Sequence, residues 1–243
     1  MGQRGTDVAR EASSLVLLED DFGAIVQAVR MGRRIHDNLR KAIAYIIAAH
    51  IPIAGMALLP LLAGAPLALL PAHIMFLELI IDPACAIVFE NEPADDDLMT
   101  RPPRPQSEAL VSWDSMQLAL VAGLAVLAAA AVVFFGALAA GSGEGAARAL
   151  SFVSIVLGNL GLILVNRSRR ASLQSLLSRS NPAQWWVGSG ALASLLLVFG
   201  NDWLRQAFRF APVDLVSLGI AALAAASAIL IAEAYKRAAI RWL

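Results

Sequence analysis

Six runs of apolar residues dominate this chain, and one of them carries two carboxylates. A hydrocarbon core about 30 Å thick takes about 20 apolar residues per helix. Segments 42–63, 67–89, 115–140, 149–166, 183–200 and 213–234 qualify as spans. Inside the second, between Leu69 and Phe89, stand Glu78 and Asp82. One ionised group near the bilayer centre costs roughly 2.5–3.5 kcal/mol on insertion scales. Four residues apart, the two share one face of a helix. A chain carries that cost where a cation, a proton or a partner offsets it, so the pair points to ion handling.

Composition agrees with a polytopic membrane protein. The 243 residues are 58% hydrophobic, and a mean hydropathy of +0.67 is too high for an ordinary soluble domain. The formal net charge is zero, which removes any bulk electrostatic case for nucleic acid as a partner. The single cysteine, Cys85, excludes an internal disulfide and a cysteine-based metal cage. In its apolar run it reads as a small buried hydrophobe. The amino terminus is polar and mixed in charge, without the short apolar core of a signal peptide. The Ala, Leu and Arg bias suggests a GC-rich bacterial genome.

The spans are punctuated by turn and packing signals. Gly64-Ala-Pro66 separates the first two and predicts a helical hairpin. The alanine-rich third span and Gly158-Asn159-Leu-Gly161 in the fourth predict close helix approach. Basic residues alternate between loops. Arg30, Arg33, Arg34, Arg40 and Lys41 precede the first span, and Arg101 and Arg104 follow the second. Arg167, Arg169, Arg170 and Arg179 follow the fourth, and Lys236, Arg237 and Arg241 follow the sixth. The opposite loops carry only Arg148, Arg205 and Arg209. The positive-inside rule puts both termini in the cytoplasm, with the bacterial plasma membrane as the expected location. Trp113, Trp185, Trp186 and Trp203 fall near span ends, as interfacial anchors do.

Residues 1–41 are not membrane-like. Leu15-Val-Leu-Leu18 has the look of a buried strand. Glu19-Asp20-Asp21 ends it, and either aspartate is placed to cap the next helix. From there Ile25, Val26, Val29, Ile35, Leu39 and Ile43 recur at helical spacing, so a stalk helix over 23–41 is expected to run without a proline into the first span. A lone strand cannot pair its backbone. Residues 1–22 therefore read as the end of a domain that begins elsewhere.

Several ordered motifs now resemble one family. Gly5-Thr-Asp-Val-Ala-Arg-Glu-Ala12, Leu17-Leu-Glu-Asp-Asp-Phe22, Gly32-Arg33 and Asn38 resemble the end of the phosphorylation domain and the stalk of P-type cation-transporting ATPases. Glu92-Pro93, Asp97-Leu-Met99 and Arg101-Pro-Pro-Arg104 resemble the loop after the sixth span in the calcium and sodium–potassium pump branch. The strong matches cover 1–104; later spans match in number and length. The resemblance implies an all-α six-helix transmembrane bundle, 42–243, behind a short remnant of an α/β phosphorylation domain. It implies cation transport as the membrane portion of an ATP-driven pump. The phosphorylated Asp-Lys-Thr-Gly-Thr, the actuator's Thr-Gly-Glu and the magnesium-holding Gly-Asp-Gly-x-Asn-Asp do not occur here. No catalytic residue is expected, and the chain alone is not expected to hydrolyse ATP, because phosphoryl transfer needs those groups. Asp7, Asp20 and Asp21 fit capping and packing instead. Magnesium and ATP belong to a complete pump, and the expected partners are the bilayer and the missing amino-terminal catalytic part. The rival readings are a free-standing six-span ion pathway or interaction subunit, and an inactive truncated remnant.

By the same resemblance the cation ligands are His50, Glu78 and Asp82. Asp82 matches the aspartate of the calcium pumps. His50 and Glu78 stand at asparagine positions, Ile81 replaces a threonine, and Ile53 replaces a glutamate of some members. Calcium wants six to eight oxygens, while a His/Glu/Asp set also suits zinc, manganese or another transition ion. Proline has no N–H, so Pro52 frees the carbonyl of Ala48 and Pro83 that of Leu79, which makes both carbonyls possible ligands. Asn159 is an auxiliary oxygen or a packing residue. His73 reads as structural, and Asp214 and Glu233 as solvated or interfacial span ends.

Overall fold

The computed structural model describes residues 2–103, 110–167 and 181–240. The expected basic residues Arg104, Arg169, Arg170, Arg179 and Arg241 lie outside the described residues. Helix α1 (Asp7–Ala12) is capped by Thr6, whose hydroxyl accepts from the Ala9 N–H at 3.3 Å. Asp7 pairs with Arg10 in the same turn at 2.5 Å.

The strand expected at 15–18 does not form, and the α/β remnant expected at the start is one short helix followed by turns. Leu15 and Leu18 are exposed. The Gly2 N–H donates to the Leu17 carbonyl at 2.7 Å, and the Gln3 and Arg4 N–H groups donate to the Asp20 carboxylate. A strand needs a neighbour for its backbone groups, and no strand occurs among the described residues. The local sequence carries strand propensity; the absent partner decides against it.

Helix α2 (Gly23–Leu62) has 40 residues, on the order of 60 Å at helical rise. The Asp21 carboxylate accepts from the Gly23 N–H at 2.7 Å at its start. Stalk and first span are thus one helix, continuous through Pro52 and Pro60. The chain leaves α2 at Gly64, whose φ of +65° suits a residue without Cβ. Helix α3 (Pro71–Pro83) starts later than the expected residue 67. Its first N–H groups are met at Pro71, which needs no partner, and the Leu70 N–H donates to His73 Nδ1 at 2.9 Å. A six-residue π-helical turn, Ala84–Phe89, continues it.

Helix α4 (Trp113–Ala139) begins at a Ser112 cap. It is followed by α5 (Glu144–Arg167), α6 (Pro182–Gly200), the short α7 (Asp202–Ala207) and α8 (Leu215–Ile240). Asp214 caps α8: the Ser217 hydroxyl and the Val216 and Ser217 N–H groups donate to its carboxylate. The bond from Ser217 holds that carboxyl below the usual range. Among the described residues six helices are long and apolar enough to cross a membrane: α2, α3 with its π turn, α4, α5, α6 and α8. The four named tryptophans are all exposed, as membrane-interface residues are.

The core lies between α2, α4, α5 and α8, with α5 the most enclosed. Helix α6 sits at the edge, against α3, the π turn and α5. Small residues set the spacing. A Cβ added at Gly123 of α4 would stand 2.6 Å from the Ala48 carbonyl oxygen of α2, and one at Gly158 of α5 would stand 2.5 Å from Val126. Gly161 meets Ile229 of α8 in the same way. The expected close approach through Gly158 and Gly161 is therefore present. Gly123→Val is expected to cost about 1–3 kcal/mol, the scale of overpacking, because the obstacle is backbone and cannot swing aside. Unfolding in detergent micelles measures it, and an unshifted midpoint would contradict the contact.

Long-range bonds define two ends of the bundle. At the stalk end meet α2 near Arg34, the loop after the π turn, the end of α5, the start of α6 and the end of α8. At the far end, Arg148 donates to the Leu67 and Arg209 carbonyls, and His73 reaches Phe208.

Candidate cation site

Helices α2 and α3 bring His50 and Glu78 together. The His50 Nδ1 lies 2.8 Å from the Ile46 carbonyl, one turn back on its own helix. A carbonyl only accepts, so Nδ1 carries a proton. The other ring nitrogen, Nε2, lies 3.5 Å from Glu78 Oε1. Both side chains are partly open, 48% and 35% exposed. Asp82 is one turn further along α3 and is exposed. It does not complete a tight cluster: among the described residues no three His, Cys, Asp or Glu side chains group closely enough to hold a metal. Ile81 and Ile53 are buried in the apolar core.

The backbone is irregular next to Asp82. Pro83 withholds the N–H that the Leu79 carbonyl would receive, and the Ala84 N–H turns to the Ile80 and Ile81 carbonyls. The helix then widens into the π turn, a distortion frequent at functional sites. The Ala48 carbonyl, freed by Pro52, lies against Gly123 of α4. Asn159 is 1% exposed in the middle of α5, and neither its amide nitrogen nor its oxygen has a hydrogen-bond partner among the described residues. An unmet buried amide is costly, so Asn159 is an available oxygen inside the bundle.

His73 has both ring nitrogens engaged. Nδ1 accepts from the Leu70 N–H, and Nε2 donates to the Phe208 carbonyl at 2.8 Å. The ring stacks on Phe210 with centroids 4.9 Å apart. This is a clasp between the start of α3 and the loop before α8, which matches the structural role expected of it. Glu233 differs from expectation. It is buried, not solvated, with Lys236 at 2.8 Å and Arg237 at 3.0 Å. Two cations within a turn of it make that burial tolerable.

A second polar centre at the stalk end escaped sequence reasoning. Glu92 and Arg167 are each 1% exposed and pair at 2.7 Å. The Asn181 amide donates to the same carboxylate at 2.8 Å and to the Val88 carbonyl at 3.0 Å. Arg167 also donates to Gln184. The Glu92 carbonyl accepts from Arg34 and Asn38 of the stalk, each at 2.9 Å. Beside it, Arg101 pairs with Asp37 of the stalk at 2.8 Å and with Asp97 at 2.5 Å. The Asp97 bond raises the Arg101 affinity for its proton, against the opposing effect of burial. Arg33 donates to the Leu98 and Arg101 carbonyls. The signal in the sequence is the Glu92-Pro93 motif, whose partner lies 75 residues away.

The six apolar helices among the described residues define a multi-pass membrane protein, and two of them bring a histidine and a carboxylate together. The chain belongs to the family described as "Cation transporting ATPase, C-terminus", which matches residues 66–238. It is similar to a calcium-transporting ATPase of Bacillus subtilis, 31% identical over 202 residues, 82% of this chain and 22% of that protein. It is similar to the probable cation-transporting ATPase F of Mycobacterium tuberculosis, 31% identical over 237 residues, 96% of this chain and 26% of that protein. Over 113 residues, 46% of this chain and 11% of the relative, it is 42% identical to the sodium/potassium-transporting ATPase subunit alpha-3 of Gallus gallus. The chain thus spans about a quarter of the first two relatives.

Proposed function

We propose that this chain carries the cation through the membrane as part of an ATP-driven pump. The observation that carries the reading is the 3.5 Å contact between His50 and Glu78, with Asp82 one turn away, inside apolar helices of a cation-ATPase family member. The face bearing these residues is left open by the helices described here, and carboxylates do not sit against lipid. A further helix or a water-filled pathway covers it. His50, Glu78 and Asp82 are the metal-binding side chains, with the Leu79 carbonyl and Asn159 as auxiliary oxygens. The Ala48 carbonyl is the weakest candidate, given its contact with Gly123.

Magnesium and ATP are handled by the amino-terminal catalytic part of the pump, which is the partner of the stalk. Val26, Val29, Met31 and Ile35 present exposed apolar surface there. The stalk end faces the cytoplasm of a bacterial cell, by its basic residues. One continuous helix joins that stalk to His50. The Arg33, Arg34 and Arg101 bonds tie the loop after Glu78 and Asp82 to the same stalk. Stalk displacement therefore acts on both site helices at once.

Glu78→Gln in the complete pump tests the reading. The cation concentration giving half-maximal ATP hydrolysis is expected to rise at least about tenfold, the scale seen on losing even an outer partner of a bound metal. An unchanged cation dependence would remove Glu78 from the site.

A further inference from the structure

We propose that the clasp at the far end is a positioning device: His73 and Arg148 fix the far half of α3 and so hold the Glu78 carboxylate in place, an inference that rests on the cation-site reading above. Two buried side chains make the clasp. His73 is 0% exposed and ties the start of α3 to the Phe208 carbonyl at 2.8 Å. Arg148 of α5 is 7% exposed; its Nε donates to the Leu67 carbonyl at 3.1 Å and its Nη1 to the Arg209 carbonyl at 2.9 Å. One guanidinium thus bridges the turn before α3 and the loop before α8, a task that its rigid fork of donors suits. Breaking either tie leaves a buried donor unmet, so the clasp opens only at a cost.

The loop side of the clasp is rigid. Arg209 sits at φ +51°, a left-handed angle for a residue with a Cβ. Such a backbone persists where its surroundings over-determine it. Here the Phe210 ring stacks on His73 and on Phe199, with centroids 4.9 and 5.4 Å apart. Phe208 meets Phe76 of α3 edge-on.

Helix α3 needs a fixed reference of this kind. Met75 and Leu79 are exposed, so one face of the helix is open and its placement falls to its two ends. The end beyond the π turn follows the stalk, through the Arg33 and Arg34 bonds. The regular helix runs from Pro71 to Pro83, where the π turn begins. Glu78 therefore belongs to the clasped half, five residues or about 7.5 Å of helix beyond His73. A ligand is only as well placed as the shell that supports it.

Amide hydrogen exchange on the 243-residue chain in phosphatidylcholine nanodiscs tests the clasp. Arg148→Met is expected to speed exchange at least about tenfold, the scale of one lost hydrogen bond from a charged donor. The gain appears in 67–76 and 205–213 together, and the stalk amides are unchanged. His73→Gln keeps an acceptor for the Leu70 N–H, as glutamine does in a capping box, and loses the stacked ring. It loosens the same two segments while far-UV circular dichroism shows α3 still formed. ATP hydrolysis by the complete pump, stimulated by calcium, manganese(II) or sodium, tests what the clasp positions. Both variants are expected to raise the half-maximal cation concentration about tenfold and to leave the maximal rate within about twofold, a split that loss of folded protein does not produce. Asp202→Asn, exposed at the same end, changes neither readout. Loosening of one segment alone, or of none, overturns the clasp. Joint loosening with an unshifted cation dependence, where Glu78→Gln does shift it, overturns the positioning role and leaves the cation site standing. Stimulation by none of the three ions, or no shift in Glu78→Gln, overturns both.

Discussion

Arg167→Met is expected to destabilise the bundle by about 3–5 kcal/mol, the cost of leaving one member of a buried ion pair unpaired. Glu92 is 1% exposed and accepts from Arg167 at 2.7 Å. Without the guanidinium its carboxylate keeps the Asn181 amide but has no counter-charge. The loss spreads because the same residues join the π turn, α5, the start of α6 and, through the Glu92 carbonyl, the stalk. The double variant Glu92→Leu/Arg167→Met is expected to recover most of the loss, since apolar replacement of a whole buried pair is often neutral or stabilising. Reversible unfolding in mixed micelles measures both. A single-variant cost under about 0.5 kcal/mol, the range of ordinary surface changes, would show that Arg167 is not the counter-charge.

Asp82→Asn in the complete pump is expected to abolish cation-stimulated ATP hydrolysis while leaving the fold intact, because the shape is kept and no helix described here packs on the side chain. The substitution removes a charge without removing volume. In the proposed site that charge balances the cation, and its loss cannot be made good by an amide oxygen in a low-dielectric setting. Ion-stimulated hydrolysis and thermal unfolding, measured on one preparation, separate the two effects. Retained stimulation would exclude Asp82 from the site. Loss of stimulation together with loss of folding would make it a structural residue instead.

Much of the architecture was legible beforehand. Span number followed from the length of apolar runs. The Gly158 and Gly161 contacts followed from small residues in a span. The irregular backbone beside Asp82 followed from Pro83, a property of one residue. His50 and Glu78 came together where two adjacent helices place them. What failed was the segment around Leu15–Leu18, whose strand propensity needs a neighbour to act. Glu233 failed too, because its position near a span end says nothing of the Lys236 and Arg237 side chains that cover it.

The sequence by itself determined the six crossings, the basic character of the stalk end, and two carboxylates on one helix face. These are properties of neighbours along the chain: apolar length, charge, and a period of 3.6 residues. Tertiary structure alone decided that Nδ1 of His50 is spent on Ile46 and Nε2 turns to Glu78, that the Ala48 carbonyl meets Gly123, and that Glu92 finds Arg167. Such pairings depend on which helix faces which, at what distance. In a bilayer that is set by close packing and by the cost of an unmet polar group, and neither can be read from one segment at a time.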